Sequence, residues 1–168
     1  LHTYYVQRDF DRALEEAIAS SDPLEARVLG ATGRETEALE AARREEARFA
    51  QVPRLAAYCA AQRAAFEGRS SDVLAIAEPY DSSSVSDGED LFHWGEICAR
   101  AGLPGEALRR LERAADWGYM CSSAYEGSSY LVRLHGMARF AALLERVHAR
   151  QRAVAKQFAG AGGLALLS

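Results

Sequence analysis

The sequence predicts an all-α protein built from antiparallel helical hairpins, and three observations lead to this fold class. No run of residues alternates between β-branched or aromatic and polar side chains, and no Asn-Gly turn is present. A glycine followed five residues later by a small residue and a leucine recurs along the chain. Near the C-terminus, apolar residues repeat with helical spacing.

Residues 91–114 show most clearly what such a hairpin requires. Two antiparallel helices approach closely only where small residues lie at their crossing, and we expect Gly95 and Ala107 to meet there. Gly102 supplies the turn between the helices. Pro104 stands in the first turn of the second helix, where a missing N–H group costs nothing.

The hairpin pattern repeats along the chain. Four leucines mark the predicted starts of second helices, and their separations are 25, 35 and 34 residues: Leu14, Leu39, Leu74 and Leu108. The last two separations match the roughly 34-residue period of one class of helical repeat. A short first helix from Pro23 to about Thr32 would account for the smaller interval.

These signals divide the chain into one domain over residues 1–159 and a tail over 160–168. The predicted hairpins cover about 1–20, 23–50, 53–78 and 88–116, and a last helix covers about 137–158. We expect a loop over 79–90, because proline, glycine and several serines favour turns.

The last helix has the pattern of a capping helix. Its apolar residues recur at three- and four-residue steps, apart from a gap at Gln151: Met137, Phe140, Leu144, Val147, Val154 and Phe158. A repeat array leaves the apolar face of its last unit exposed, and a helix with one apolar face closes it.

Composition argues against several functional classes. The formal charge of −4 disfavours a nucleic-acid surface, which needs a basic field. No segment has the length of a membrane span, and no basic-then-apolar leader is present. Three cysteines without a short pairing motif indicate a reduced, cytoplasmic setting. Because the chain begins at Leu1 rather than at a methionine, we expect it to be part of a larger protein.

The sequence shows no arrangement of catalytic or metal-binding residues. The four histidines and three cysteines do not share the spacing of a zinc site. No serine has the glycine-flanked setting of a hydrolase nucleophile. We therefore predict a non-enzymatic protein without metal or cofactor.

Residues 1–117 resemble degenerate tetratricopeptide repeats. Residues 117–158 resemble the C-terminal end of bacterial tetratricopeptide proteins in which the repeats are fused to serine/threonine kinase, nucleotide-cyclase or transcription-activator domains. The matching residues are Gly118-Tyr119, Tyr130-Leu131, Leu134, Met137, Phe140, Leu143-Leu144 and Arg146-Val147. The resemblance implies a right-handed superhelix that acts as a protein or peptide interaction module in a signalling or transcription-regulatory protein.

In such a superhelix the first helix of each hairpin lines the concave wall. Carried onto this sequence, that geometry predicts a partner-binding face of mixed aromatic, charged and polar residues. The predicted residues are Arg27, Tyr58, Gln62, Phe66, Phe92, Glu96 and Arg100.

Two alternatives remain at this point. Residues 94–118 also fit a DNA-binding helix-turn-helix, with Arg109, Arg110 and Arg113 on its second helix. The acidic balance of the chain, with Glu106 and Glu112 on the same helix, weighs against it. The other alternative is a repeat-built pocket for a small effector.

Overall fold

The chain is all-helical in the computed structural model, which describes residue 5 and residues 7–20, 22–81 and 87–162, without the side chains of residues 80 and 81. We number the α-helices of these ranges in chain order. They are α1 (Phe10–Ser20), α2 (Glu25–Ala31), α3 (Glu35–Arg48), α4 (Pro53–Phe66), α5 (Ser70–Asp81), α6 (Gly88–Arg100), α7 (Pro104–Asp116), α8 (Ser122–Gly127) and α9 (Ala138–Gly160), with a 3₁₀ helix at Ser129–Leu134 between the last two.

In three successive hairpins a glycine forms the turn that joins the first helix to the second, and the three turns are equivalent. Gly33, Gly68 and Gly102 have φ angles of 79°, 72° and 74°, in the left-handed region that favours glycine. Each glycine N–H donates to the carbonyl three residues earlier, and the next N–H donates to the carbonyl five residues earlier. Arg8, with φ 62°, has the same conformation before α1. The turns at residues 8, 33, 68 and 102 are therefore separated by 25, 35 and 34 residues, which are the intervals between the four leucines.

Helices α6 and α7 lie antiparallel and in contact along their length. A methyl group added at Gly95 would lie 2.7 Å from the Leu111 side chain and 3.5 Å from the Ala107 carbonyl oxygen. One added at Gly88, at the other end of α6, would lie 3.0 Å from the Ala114 carbonyl oxygen. The predicted meeting of Gly95 and Ala107 is confirmed.

The feature that recurs in the second helices is a buried alanine or valine rather than the leucine that follows it. The residue directly before each of the four leucines is fully buried. Of the leucines themselves only Leu108 is fully buried, and Leu74 is exposed. The buried residues are Ala13, Ala38, Val73 and Ala107. A small side chain is needed here because the neighbouring helix approaches closely at this position.

The prediction of a loop over 79–90 is wrong at both ends. Helix α5 continues through Pro79 to Asp81, and α6 begins at Gly88. The Asp87 side chain caps α6 by accepting a hydrogen bond of 2.7 Å from the Asp90 N–H. Proline is tolerated at the end of α5 because few backbone hydrogen bonds remain to be lost there. Residues 82–86 lie outside the described ranges.

The last helix closes the array with only its first half. Phe140, Leu143 and Val147 are buried where α9 packs on α7 and α8. The predicted continuation of this buried stripe is wrong, since Val154 is 54% exposed and Phe158 is 43% exposed. The physical reason is length: at 1.5 Å per residue the 23-residue α9 extends well beyond the 13-residue α7.

None of the helices in the described ranges combines the length and apolar character needed to cross a membrane. The predicted tail over 160–168 falls mostly beyond these ranges.

A buried carboxylate from α3 caps α2, the helix that carries Arg27. The Glu45 Oε1 atom accepts hydrogen bonds from the N–H groups of Glu25 at 2.8 Å and Ala26 at 3.4 Å. Burial raises the pKa of Glu45 from 4.5 to about 7, although the two backbone hydrogen bonds oppose this shift. Glu45 therefore binds its proton more tightly in the folded chain than in the unfolded one.

We expect Glu45→Gln to remove a pH dependence of stability. Between pH 4.5 and pH 7 the folded chain binds more protons at this site, so its free energy of unfolding falls as the pH rises, by up to about 3 kcal/mol. Glutamine keeps the accepting oxygen without the charge. Urea denaturation at pH 5 and pH 8 measures the effect, with the exposed Glu40→Gln on the same helix as control. An unchanged pH slope in Glu45→Gln would contradict the assignment.

Candidate functional site

Six of the seven residues predicted for the partner-binding face line one small cavity. Its volume of about 20 Å³ is enough for a single water molecule. Helices α2, α4 and α6 supply the six predicted residues, which are Arg27, Tyr58, Gln62, Phe66, Glu96 and Arg100. The other lining residues are Ala65, His93, Ile97 and Tyr130.

Phe92 is the seventh predicted residue, and it lies in the hydrophobic core away from this cavity. It is fully buried, and its ring centroid lies 4.8 Å from that of Tyr119 and 5.0 Å from that of Tyr125. These tyrosines follow α7 in the chain and cover the first half of α6. A repeat register does not predict this cover, because it comes from the C-terminal segment.

An ion pair between repeats crosses the cavity. The Nε and Nη2 atoms of Arg27 on α2 lie 2.7 and 2.6 Å from Oε2 of Glu96 on α6, and both residues are 2% exposed. The Ser128 hydroxyl donates to the other Glu96 oxygen at 2.6 Å. The Arg27 guanidinium also lies over the Tyr5 ring, 3.9 Å from its centroid. Glu96 therefore joins the first helices of two hairpins to the segment that follows α8.

Burial and the opposite charge act against each other on this pair. Burial raises the pKa of Glu96, and the neighbouring Arg27 lowers it, with the net direction upward. Burial lowers the pKa of Arg27, but the charge and hydrogen bond of Glu96 together with Tyr5 and Tyr58 outweigh burial, and the net direction is upward. Arg27 is thus held as a cation, and Glu96 depends on that cation to stay ionised.

The chain itself fills the middle of the predicted groove. The Tyr130 hydroxyl donates to the Arg27 carbonyl oxygen at 2.7 Å. Its position requires a glycine beneath it, because a methyl group at Gly30 would lie 2.3 Å from the Tyr130 oxygen and 2.6 Å from the Phe66 ring. Leu131 and Leu134 anchor the same 3₁₀ segment in the core.

Sequence reasoning missed Tyr130, Ser128 and Gly30 as parts of this site. Gly30 was the one of the three that the sequence could have pointed to. A glycine inside a short helix lowers helix stability, and its presence there suggests that another part of the chain packs closely against it.

Open cavities flank the filled centre on both sides. Towards the N-terminal ends of α4 and α6, a cavity of about 180 Å³ is lined by Pro23, Leu24, Arg54, Leu55, Tyr58, Asp90, His93 and Trp94. Towards the C-terminal end of α6, one of about 320 Å³ is lined by Glu35, Ala99, Arg100, Ser129, Tyr130 and Arg133. Each shares two residues with the central cavity, so the three form one row along the first helices.

Charged pairs mark the two ends of this row. Arg54 pairs with Asp90 beside the first outer cavity, and Arg100 pairs with Glu35 beside the second. The Arg100 guanidinium also lies 4.3 Å from the Phe66 ring centroid. Between the two ends, the buried Tyr58 hydroxyl has no hydrogen-bond partner among the described residues. Its pKa is raised by burial, so it keeps its proton at neutral pH and can donate a hydrogen bond to a ligand.

No cluster of three or more metal-ligating side chains occurs in the described ranges. The three cysteines are unbridged. Burial raises the pKa of the Cys59 thiol to about 12, so this thiol is not poised as a nucleophile.

Comparisons with family models, with curated proteins and with solved structures found no match to this chain.

Proposed function

We propose that this chain is a non-catalytic module that binds a protein or peptide partner along the first-helix face. The observation that supports the proposal is the row of three cavities along α6, which is the one helix that contributes to the walls of all three. A row of small cavities suits successive side chains of one extended or helical segment. An isolated small molecule would use a single, larger pocket.

The cavity of about 180 Å³ is the part of the row best suited to an anchoring side chain. Leu24, Leu55 and Trp94 give it apolar walls, and the Arg54–Asp90 pair lies at its edge. Binding energy in protein interfaces concentrates where an apolar pocket is surrounded by polar groups. The centre of the row contributes less, because Tyr130 already fills it.

The proposal extends to the role of the chain in the cell. A tetratricopeptide-like superhelix, with its first helices facing the partner, would act in the cytoplasm as the docking part of a bacterial signalling or transcription-regulatory protein. The repeated glycine turns at 33, 68 and 102 support this reading.

The alternatives fit the geometry less well. The helices of a helix-turn-helix cross at about 90–120°, whereas α6 and α7 are antiparallel and touch both at the start and in the middle of α6. Arg110, one of the predicted DNA contacts, is buried and pairs with Glu106 at 2.8 Å. A small effector would not fit the central cavity, which has room for one water. Of the outer cavities only that of about 320 Å³ reaches the lower limit of the roughly 300–1,000 Å³ typical of ligand pockets.

Selection of peptides from a random library tests the proposal. We expect Leu55→Ala to weaken binding of the selected peptides by about 2 kcal/mol, which is a roughly thirtyfold increase in Kd. The reason is that the substitution removes one wall of the apolar pocket. Leu74→Ala is the matched control, since Leu74 is an exposed leucine on the second helix α5. Calorimetric titration gives the affinities, and circular dichroism checks that both variants fold.

Equal affinity of both variants would place the interface elsewhere. A library that yields no binding peptide would argue against a peptide-binding role.

A further inference from the structure

The outer cavity of about 320 Å³ is lined by more positive than negative charge. Its charged side chains are Glu35, Arg100 and Arg133. Glu35 accepts a hydrogen bond from Nη2 of Arg100, so these two charges offset each other. Arg133 is exposed and forms no ion pair with the part of the chain that the structure describes. The walls of this cavity therefore carry one positive charge that the described residues do not balance.

The Arg100 guanidinium is held in a fixed orientation beside this cavity. It lies 4.3 Å from the Phe66 ring centroid and 5.7 Å from that of Tyr130. Stacking of this kind occupies the flat faces of a guanidinium and leaves the N–H groups at its edge available for hydrogen bonds. One of them, the buried Nε, has no partner within the described ranges. A buried donor without a partner costs free energy, and a ligand whose acceptor reaches it recovers that cost.

We propose that this cavity binds an aspartate or glutamate side chain of the partner peptide. The inference rests on the proposed peptide-binding function, and it specifies the charge of the ligand at this end of the row. A guanidinium can donate two parallel hydrogen bonds to one carboxylate, which fixes the position of the ligand as well as its charge. Arg133 supplies the unbalanced charge, and the Ser129 hydroxyl in the same wall is a further donor.

Helix α6 sets the distance between the acidic residue and the apolar anchor. His93 lines the apolar cavity of about 180 Å³, and Arg100 lines the charged one. They are seven residues apart, close to two helical turns, so they lie on the same side of α6 and about 10 Å apart along its axis. An extended peptide covers that distance in about three residues, and a helical one in about seven. The partner therefore carries an apolar and an acidic residue at one of these two spacings.

A side-chain carboxylate fits this cavity better than a phosphate group or a free anion does. A phosphate group carries a charge of about −1.5 to −2 at pH 7, whereas the walls offer one unbalanced positive charge and include the carboxylate of Glu35. A free small carboxylate would leave the rest of the row empty. A peptide occupies the whole row, because the central cavity shares Arg100 and Tyr130 with the charged cavity and Tyr58 and His93 with the apolar one.

Peptide selection on two forms of the chain tests the proposal. The wild-type chain and Arg133→Glu each select peptides from the same random library. We expect the wild-type peptides to have an acidic residue at a fixed distance from an apolar one, and the Arg133→Glu peptides to have a basic residue at that position. The apolar residue should stay the same, because Arg133 does not line the apolar cavity. Arg152→Glu is the matched control, since Arg152 is an exposed arginine on α9 outside the row, and it should select the wild-type motif.

Calorimetric titration of one selected peptide measures the size of the effect. Replacing the acidic residue of the peptide by its amide should raise Kd about tenfold, and so should Arg133→Gln. The two changes together should raise Kd little more than either does alone, because both remove the same contact. Circular dichroism checks that the variants fold.

Peptides that share the apolar residue but have no acidic position would overturn this inference and leave the proposed function in place. The same acidic residue in peptides selected by Arg133→Glu would also overturn it, as would independent effects of the two changes in the titration. Displacement of the peptide by inorganic phosphate, at concentrations where acetate has no effect, would assign the cavity to a phosphate instead. A library that yields no binding peptide would argue against the proposed function and, with it, against this inference.

Discussion

Replacing Arg27 by methionine should destabilise the fold by about 3–5 kcal/mol. The change removes the buried cation that Glu96 faces and leaves its carboxylate in the interior without a counter-charge. Methionine has a similar length and fills part of the space, so lost volume is a minor contribution. Urea denaturation at pH 8, followed by circular dichroism, measures the loss.

Two further measurements separate the lost charge from lost packing. The double variant Arg27→Met with Glu96→Leu should regain most of the stability, because no unpaired charge remains. Burial raises the pKa of Glu96, so a folded chain without Arg27 binds a proton there more tightly than the unfolded chain does. The loss in Arg27→Met should therefore be smaller at pH 5 than at pH 8. A loss independent of pH and of Glu96 would contradict this explanation.

Replacing Gly30 by alanine should also destabilise the protein, although alanine is the better helix former. The added methyl group would lie 2.3 Å from the Tyr130 oxygen and 2.6 Å from the Phe66 ring, so at least one of these side chains must move. Overpacking of this kind costs about 1–3 kcal/mol, and the Tyr130 hydrogen bond to the Arg27 carbonyl is lost in addition. Thermal denaturation measures the net effect.

Gly105→Ala is the matched control for this change. Gly105 is also a helical glycine, but a methyl group there meets nothing within 4 Å. Alanine at this position should raise stability by up to about 1 kcal/mol through helix propensity alone. If Gly30→Ala stabilised the chain as Gly105→Ala does, the proposed packing of Tyr130 on α2 would be wrong.

Local signals carried the sequence predictions that the structure bears out. The turn at Gly102 and the crossing of Gly95 with Ala107 depend on residues a few positions apart, and the structure has both. The repeat register places Arg27 and Glu96 at equivalent positions, six residues before the turn glycines Gly33 and Gly102, and in the structure both line one cavity although 69 residues separate them. Their contact passes over the hairpin between them, so it goes beyond the neighbour-to-neighbour contacts that a repeat register predicts.

Predictions failed where a distant segment covers the repeats. Phe92 occupies a register position expected on the concave face, but Tyr119 and Tyr125 enclose it in the core. Val154 belongs to the apolar stripe of α9 that was predicted to be buried. In the described part of the chain nothing packs against it, and it is exposed. Neither outcome follows from periodicity, which identifies the apolar face of a helix but not what packs against it.

The sequence by itself determined the all-α class and the hairpin register, because glycine turns and small residues at helix crossings act over one or two turns of helix. Only the tertiary structure decided that the groove is filled at its centre and open at its ends. That outcome depends on Tyr130 reaching Gly30 and the Arg27 carbonyl, about a hundred residues earlier in the chain. Such a contact is set by the path of the segment after α8, and short-range sequence patterns do not encode that path.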